Sequence, residues 1–148
     1  MADYYTNFSV IVGLPHHEAQ TYALQLHERM QEESDDETRP QDIPKELWEC
    51  REDWHFECVA EGTAEQPSIW LHSSNGAIDA ACAFIQHLLQ QFQLKEPVTL
   101  EWSHDCSKPR TDAYGGGAAF ITAKGIRTFT TGEWLSRQTQ RHQRQNPT

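Results

Sequence analysis

Two stretches of this chain repeat their apolar residues at three- and four-residue spacing, and each lies between stretches that repeat at two. That change of period constrains the fold more than any other feature, because 3.6-residue faces read as helices and two-residue faces as strands. The first helical stretch carries Ala19, Tyr22, Ala23, Leu26 and Met30 and runs from His16 to about Glu33. Glu18 sits in its first turn, where the helix dipole favours an acid. The second stretch is the stronger. Ile78, Cys82, Ile85, Leu89 and Phe92 share one face, with Asp79 in the first turn and Pro97 beyond the end. Ser73-Ser74-Asn75-Gly76 offers capping oxygens before it.

The intervening segments read as strands. Asn7 to Leu14 is apolar and β-branched and is closed by Gly13 and Pro15, which predicts a central strand. Residues 54–62 alternate Trp54, Phe56, Cys58 and Ala60 against His55, Glu57, Val59 and Glu61, and Ser68 to Ser73 returns as the hairpin partner. Val98, Leu100 and Trp102 alternate along a fourth strand over 98–104. Two short strands, 118–123 and 126–130, flank a turn at Lys124-Gly125, and a short helix opens at Thr131. The order β-α-β-β-α-β predicts an α+β domain of ferredoxin-like split β-α-β type: an antiparallel sheet with two helices on one face, plus a C-terminal β-hairpin and short helix. A single domain spans 1–136, with an acidic linker insertion over 34–53 that holds a short helix around Leu47 and Trp48. Residues 137–148 are polar, lack a core face and predict a disordered tail.

Twenty-two acids against 12 bases leave a net charge of −10, which argues against direct binding to a phosphate backbone. Residues 32–65 alone hold 13 acids, and EESDDETRPQD has no apolar period, so it reads as a solvated connection. No stretch approaches the ~18 apolar residues of a membrane span. Cys50, Cys58, Cys82 and Cys106 have no close pairing, and the N-terminus lacks a basic region followed by an apolar run, so the expectation is free thiols in the cytoplasm.

Chemistry-bearing residues crowd between Val98 and Phe120. His104-Asp105-Cys106 collects the residue types of a cysteine triad, but neighbours on an extended segment point to opposite faces, so a base such as His72 or His55 would have to come from another strand. Lys108 and Arg110 precede Gly115, Gly116 and Gly117, whose unhindered N–H groups could cradle an anion at a loop spanning 104–117. The glycines lead into a strand rather than a helix, so this is not a Walker loop, and the favoured reading is that they permit a bulge or a close backbone crossing. His55, His72, His104, Cys58 and Cys106 lie near the sheet without any recognisable zinc spacing, so neither a metal nor a cofactor is expected.

YYTNFS near the start, IWLHSS, WSHDCSKPR followed by YGGGA, and the late TGEWL resemble a group of small bacterial proteins of plasmids, phages and other mobile elements. The segments Cys106 to Arg110 and Gly115 to Ala118 are the most specific part. The resemblance implies a non-enzymatic, anti-defence role, such as inhibition of a CRISPR or restriction complex, and carries over no catalytic residue. The expected partner is a basic, nucleic-acid-handling protein, met through Asp35, Asp36, Glu37, Trp70, His72, Glu101 and Tyr114, with a homodimer through an uncovered sheet face as a further expectation. The alternative is a small-molecule or cysteine-dependent enzymatic site at loop 104–117, using Cys106, Lys108, Arg110 and the three glycines.

Overall fold

A computed structural model describes residues 2–33 and 37–147. Strands β1 (Tyr4–Gly13), β2 (Glu57–Gly62), β3 (Pro67–Ser73), β4 (Val98–Cys106), β5 (Gly115–Thr122) and β6 (Gly125–Thr130) form one antiparallel sheet in the order β2-β3-β1-β4-β5-β6. Helices α1 (His17–Glu32), α2 (Lys45–Trp48), α3 (Ile78–Gln91) and α4 (Thr131–Gln145) complete an α+β architecture.

Helices α1 and α3 lie side by side on one face of the sheet, joined by the Tyr22 hydroxyl and His87 Nε2 at 2.7 Å. Their apolar stripes, Ala19, Ala23, Leu26 and Met30 on α1 and Phe84, Ile85, Leu88 and Leu89 on α3, pack onto Val12, Ile69, Leu71, Leu100 and Ile121 from alternate strand positions. An aromatic cluster closes the end where α1, α3 and the entry to β2 meet. There Trp54, Phe56 and Phe84 surround His27, whose Nε2–H donates to the Phe56 carbonyl at 2.8 Å. The indole N–H of Trp54 is buried in this cluster without an acceptor among the described residues.

Four local expectations are corrected. Asn75 and the neighbouring serines do not cap α3; the residue before the helix is Ala77 in the left-handed region (φ 66°) without a side-chain cap, while Ser73 Oγ accepts from Asn75 N and donates to the His55 carbonyl. The hairpin turn falls on Ala123-Lys124, because Thr122 and Gly125 are already paired. The acidic connection is solvent-exposed and Leu47 and Trp48 pin it to the body, as the sequence indicates, but it is not a free linker: Arg39 donates to the Ile43 carbonyl at 2.8 Å, Arg29 pairs with Asp42, and Ile43 is buried. Residues 137–145, expected in a disordered tail, continue α4 as one helix. The lack of a core face was read correctly, since α4 buries no residue, but its cap is strong: Thr130 Oγ1 accepts from Glu133 N at 3.1 Å in a Thr-x-x-Glu pattern.

Candidate partner-binding face

With α1 and α3 on one side, the opposite face of the sheet carries no helix from either. Strand parity sends Val59, Trp70 and Ile11 to that face in one register row, and Phe120 and Phe129 to it farther along the sheet. Ile11 is 63% exposed, and Val59, Phe120 and Phe129 each exceed 40%. Single exposed apolar side chains are ordinary; several aligned on one flat face mark an interaction surface.

A shallow hollow of about 590 Å³ lies across β3, β1 and β4 on this face, lined in part by Asn7, Ser9, Trp70, His72, Glu101 and Ser103. Its wall is rigid. Trp70 Nε1–H donates to Ser9 Oγ at 2.8 Å, and the His72 ring stacks on the indole with centroids 4.0 Å apart. Asn7 Nδ2 donates to Asp105 at 3.3 Å beside it. Glu57, Glu61, Glu101 and Asp105 share the same strand parity, so the apolar surface has an acidic surround. An open surface of fixed aromatic area with carboxylates around it suits a partner's apolar projection set among lysines and arginines.

Trp70, His72 and Glu101, assigned from sequence to one partner-binding set, meet in this hollow. Tyr114 does not join them. It ends the β4–β5 loop, 55% exposed, with its hydroxyl donating to the Lys108 carbonyl at 3.4 Å. Glu37 is exposed on the connection after α1, and Asp35 and Asp36 lie outside the described residues.

The signature loop is shorter than 104–117. β4 runs to Cys106 and β5 begins at Gly115, which leaves Ser107 to Tyr114 as the loop. Gly115, Gly116 and Gly117 pair with His104, Ser103 and Trp102, and the Gly116 N–H donates to Thr131 Oγ1 at 3.1 Å. Their backbone is engaged within the sheet, so they do not form a free cradle with Lys108 and Arg110, which are exposed loop residues. Ser107 ties the loop to the N-terminus through Asp3, and Ala113 plugs it inward.

Cysteine chemistry gains no geometry here. Cys106 pairs with Tyr4 and His72 with Ser9, and the parity of β1 puts these two on opposite faces of the sheet. The imidazole of His104 is bound through Nδ1 to Thr6 Oγ1 at 2.8 Å. Burial pushes the thiols of Cys58 and Cys82 up to about 12, the reverse of what a nucleophile needs. Among the described residues, no group of three histidine, cysteine or acidic side chains is arranged to hold a metal, and no helix is long and apolar enough to cross a membrane.

The signal that sequence reasoning missed is the distribution of the bases. Lys108, Arg110, Lys124, Arg127, Arg137, Arg141 and Arg144 all fall after residue 106, and a running charge count would have found them. Comparison of the chain with protein-family models, curated proteins and solved structures returns no match.

Proposed function

We propose that this chain is a non-enzymatic protein-binding domain of a mobile genetic element, acting through the face of its sheet opposite α1 and α3. The observation that carries the reading is that face around β1–β4: exposed Ile11 and Val59 beside a hollow walled by Trp70 and His72, with Glu57, Glu61, Glu101 and Asp105 around them. A ferredoxin-like reading of Tyr4–Cys106 is supported by the order β2-β3-β1-β4 with α1 and α3 as the crossing helices; β5, β6 and α4 are then an appended unit. The acidic surround favours a basic partner, and the mobile-element resemblance favours a nucleic-acid-handling defence complex whose charged surface this domain would occupy.

Co-purification of the tagged full chain from a bacterial host tests the proposal. A stoichiometric partner is expected to be retained by the native chain, lost with Trp70→Ala or Ile11→Arg at unchanged melting temperature, and weakened by charge reversal of Asp35, Asp36 and Glu37. Absence of such a partner, or equal retention by Trp70→Ala and Ile11→Arg, overturns it. A dimer in light scattering that Ile11→Arg disperses would assign the face to a second copy instead.

A further inference from the structure

The charge of this chain is divided along its length. Residues 107–148 hold seven of the 12 lysines and arginines and two of the 22 acids, a net of +5, whereas residues 1–106 carry −15. Strand order sets the acid-rich segment over 32–65 apart from the basic segment, although Glu101 of β4 shares a register row with Ala118 and Phe129. β2, which follows the acid-rich segment, forms one edge of the sheet and β6, which leads into α4, forms the other, roughly 24 Å away at about 4.8 Å per strand. The net −10 conceals a basic end.

Among the described residues, the bases of that end form no ion pair; the ion pairs join His16 to Glu18, Arg29 to Glu33 and Asp42, and Lys45 to Glu49. Helix α4 buries no side chain. Arg137, Arg141 and Arg144 fall within about 60° of one another around the helix axis and span roughly 10 Å along it. On the adjoining hairpin, Phe120 and Arg127 are a register pair, and Phe129 follows two residues on along the same face, both rings exposed.

We propose that α4 and the β5–β6 hairpin bind single-stranded nucleic acid, with phosphates on the arginines and bases stacked on Phe120 and Phe129. Three features select this occupant. The permanently charged bases of α4, Arg137, Arg141 and Arg144, are all arginine, whose planar fork matches phosphate oxygens two at a time. Glu133 is its single acid, and Gln138, Gln140, Gln143 and Gln145 add neutral hydrogen-bonding groups that do not repel a polyanion. Its large apolar residues, Trp134 and Leu135, are confined to the first turns, which leaves no apolar stripe to enter a membrane. Exposed rings beside a guanidinium are the platform that unpaired bases use.

Fluorescence anisotropy of the purified full chain with a labelled single strand of about 20 nucleotides tests this. Binding is expected to weaken steeply between about 50 and 200 mM salt. Arg137→Gln, Arg141→Gln and Arg144→Gln together should lower affinity by roughly tenfold or more and reduce the salt slope by about 2, at about 0.7 per lost phosphate contact. Phe120→Ala with Phe129→Ala should weaken binding without changing the slope. No binding at the lower salt, equal binding by the triple variant, or preference for duplex with no effect of the phenylalanines overturns the proposal. Salt-sensitive self-association abolished by the triple variant also overturns it, by giving α4 to the acidic end of a second copy. The Trp70→Ala chain should bind the strand as the native chain does, which separates this result from the fate of the protein-binding face.

Discussion

Trp102 lies across β5 so closely that a methyl group on Gly117 would run into Cζ2 of its indole and stand 2.5 Å from the Phe129 carbonyl oxygen. Gly117 is the register partner of Trp102, so the missing side chain makes room for the ring, and the half-buried indole covers the strand where glycine cannot. Gly117→Ala should therefore cost about 1–3 kcal/mol through overpacking. Trp102→Leu in the same chain should recover part of that loss, so that the double variant falls short of the sum of the singles. Gly125→Ala, with nothing within 4 Å of the added carbon, should stay within about 0.5 kcal/mol of the native chain in denaturant unfolding. Strictly additive costs at Gly117 and Trp102 would sink this account. The glycine run was legible as a place of close backbone approach, which the contacts at Gly116 and Gly117 bear out, but what approaches it was not. Only the cross-strand register, a non-local fact, shows which tryptophan they face.

At the scale of elements, the two long amphipathic helices and the first four strands were readable, because each follows from a period that burial enforces. Boundaries failed where no apolar period reports them. β4 extends through the polar His104-Asp105-Cys106, held by its ladder to Tyr4, Tyr5 and Thr6. Helix α4 is the clearest case, since it buries nothing and rests on local terms. These are the Thr130 cap, Glu133 in the first turn, and His142 and Arg144 in the last turn against the dipole. A 15-residue helix without packing is marginal in water, so α4 should unfold independently of the sheet. Thr130→Ala, which removes about 1 kcal/mol of capping, should lower the helical circular dichroism signal at 25 °C while leaving the cooperative melting midpoint near its native value. A midpoint that drops in step with the lost signal would show that α4 is coupled to the core. Restoration of the lost signal by a nucleic-acid strand would tie folding of α4 to its occupant.

For the molecule as a whole, the two opposite conclusions about charge have one cause. Net charge averages over a chain whose ends differ, and the folded sheet keeps those ends apart. Stability against pH depends instead on a few buried groups. Burial holds the His27 imidazole below the usual histidine range, outweighing its bond to the Phe56 carbonyl and the nearby Glu57 charge, and burial lowers His87 as well. Both take up protons more readily in the unfolded chain, so stability is full above about 6.5 and is lost as pH falls below it. Cys58 and Cys82, raised to about 12, act at the other limb. Their unfolded thiols ionise near 9.0 while the folded ones remain protonated, so stability is lost as pH rises from there toward 12. The melting temperature should thus form a plateau between about 6.5 and 9 with a fall on each side, each lost kcal/mol lowering it by roughly 2–4 °C in a chain of this size. Asp53, whose carboxyl burial raises, opposes the histidines as pH falls toward the carboxylate range, so the acid limb is best read above about 5.5. His27→Gln keeps a donor for the Phe56 carbonyl and removes the titration. It should lower the plateau through poorer ring packing while flattening the slope between about 5.5 and 6.5, and an undiminished slope would place the acid limb on His87 alone.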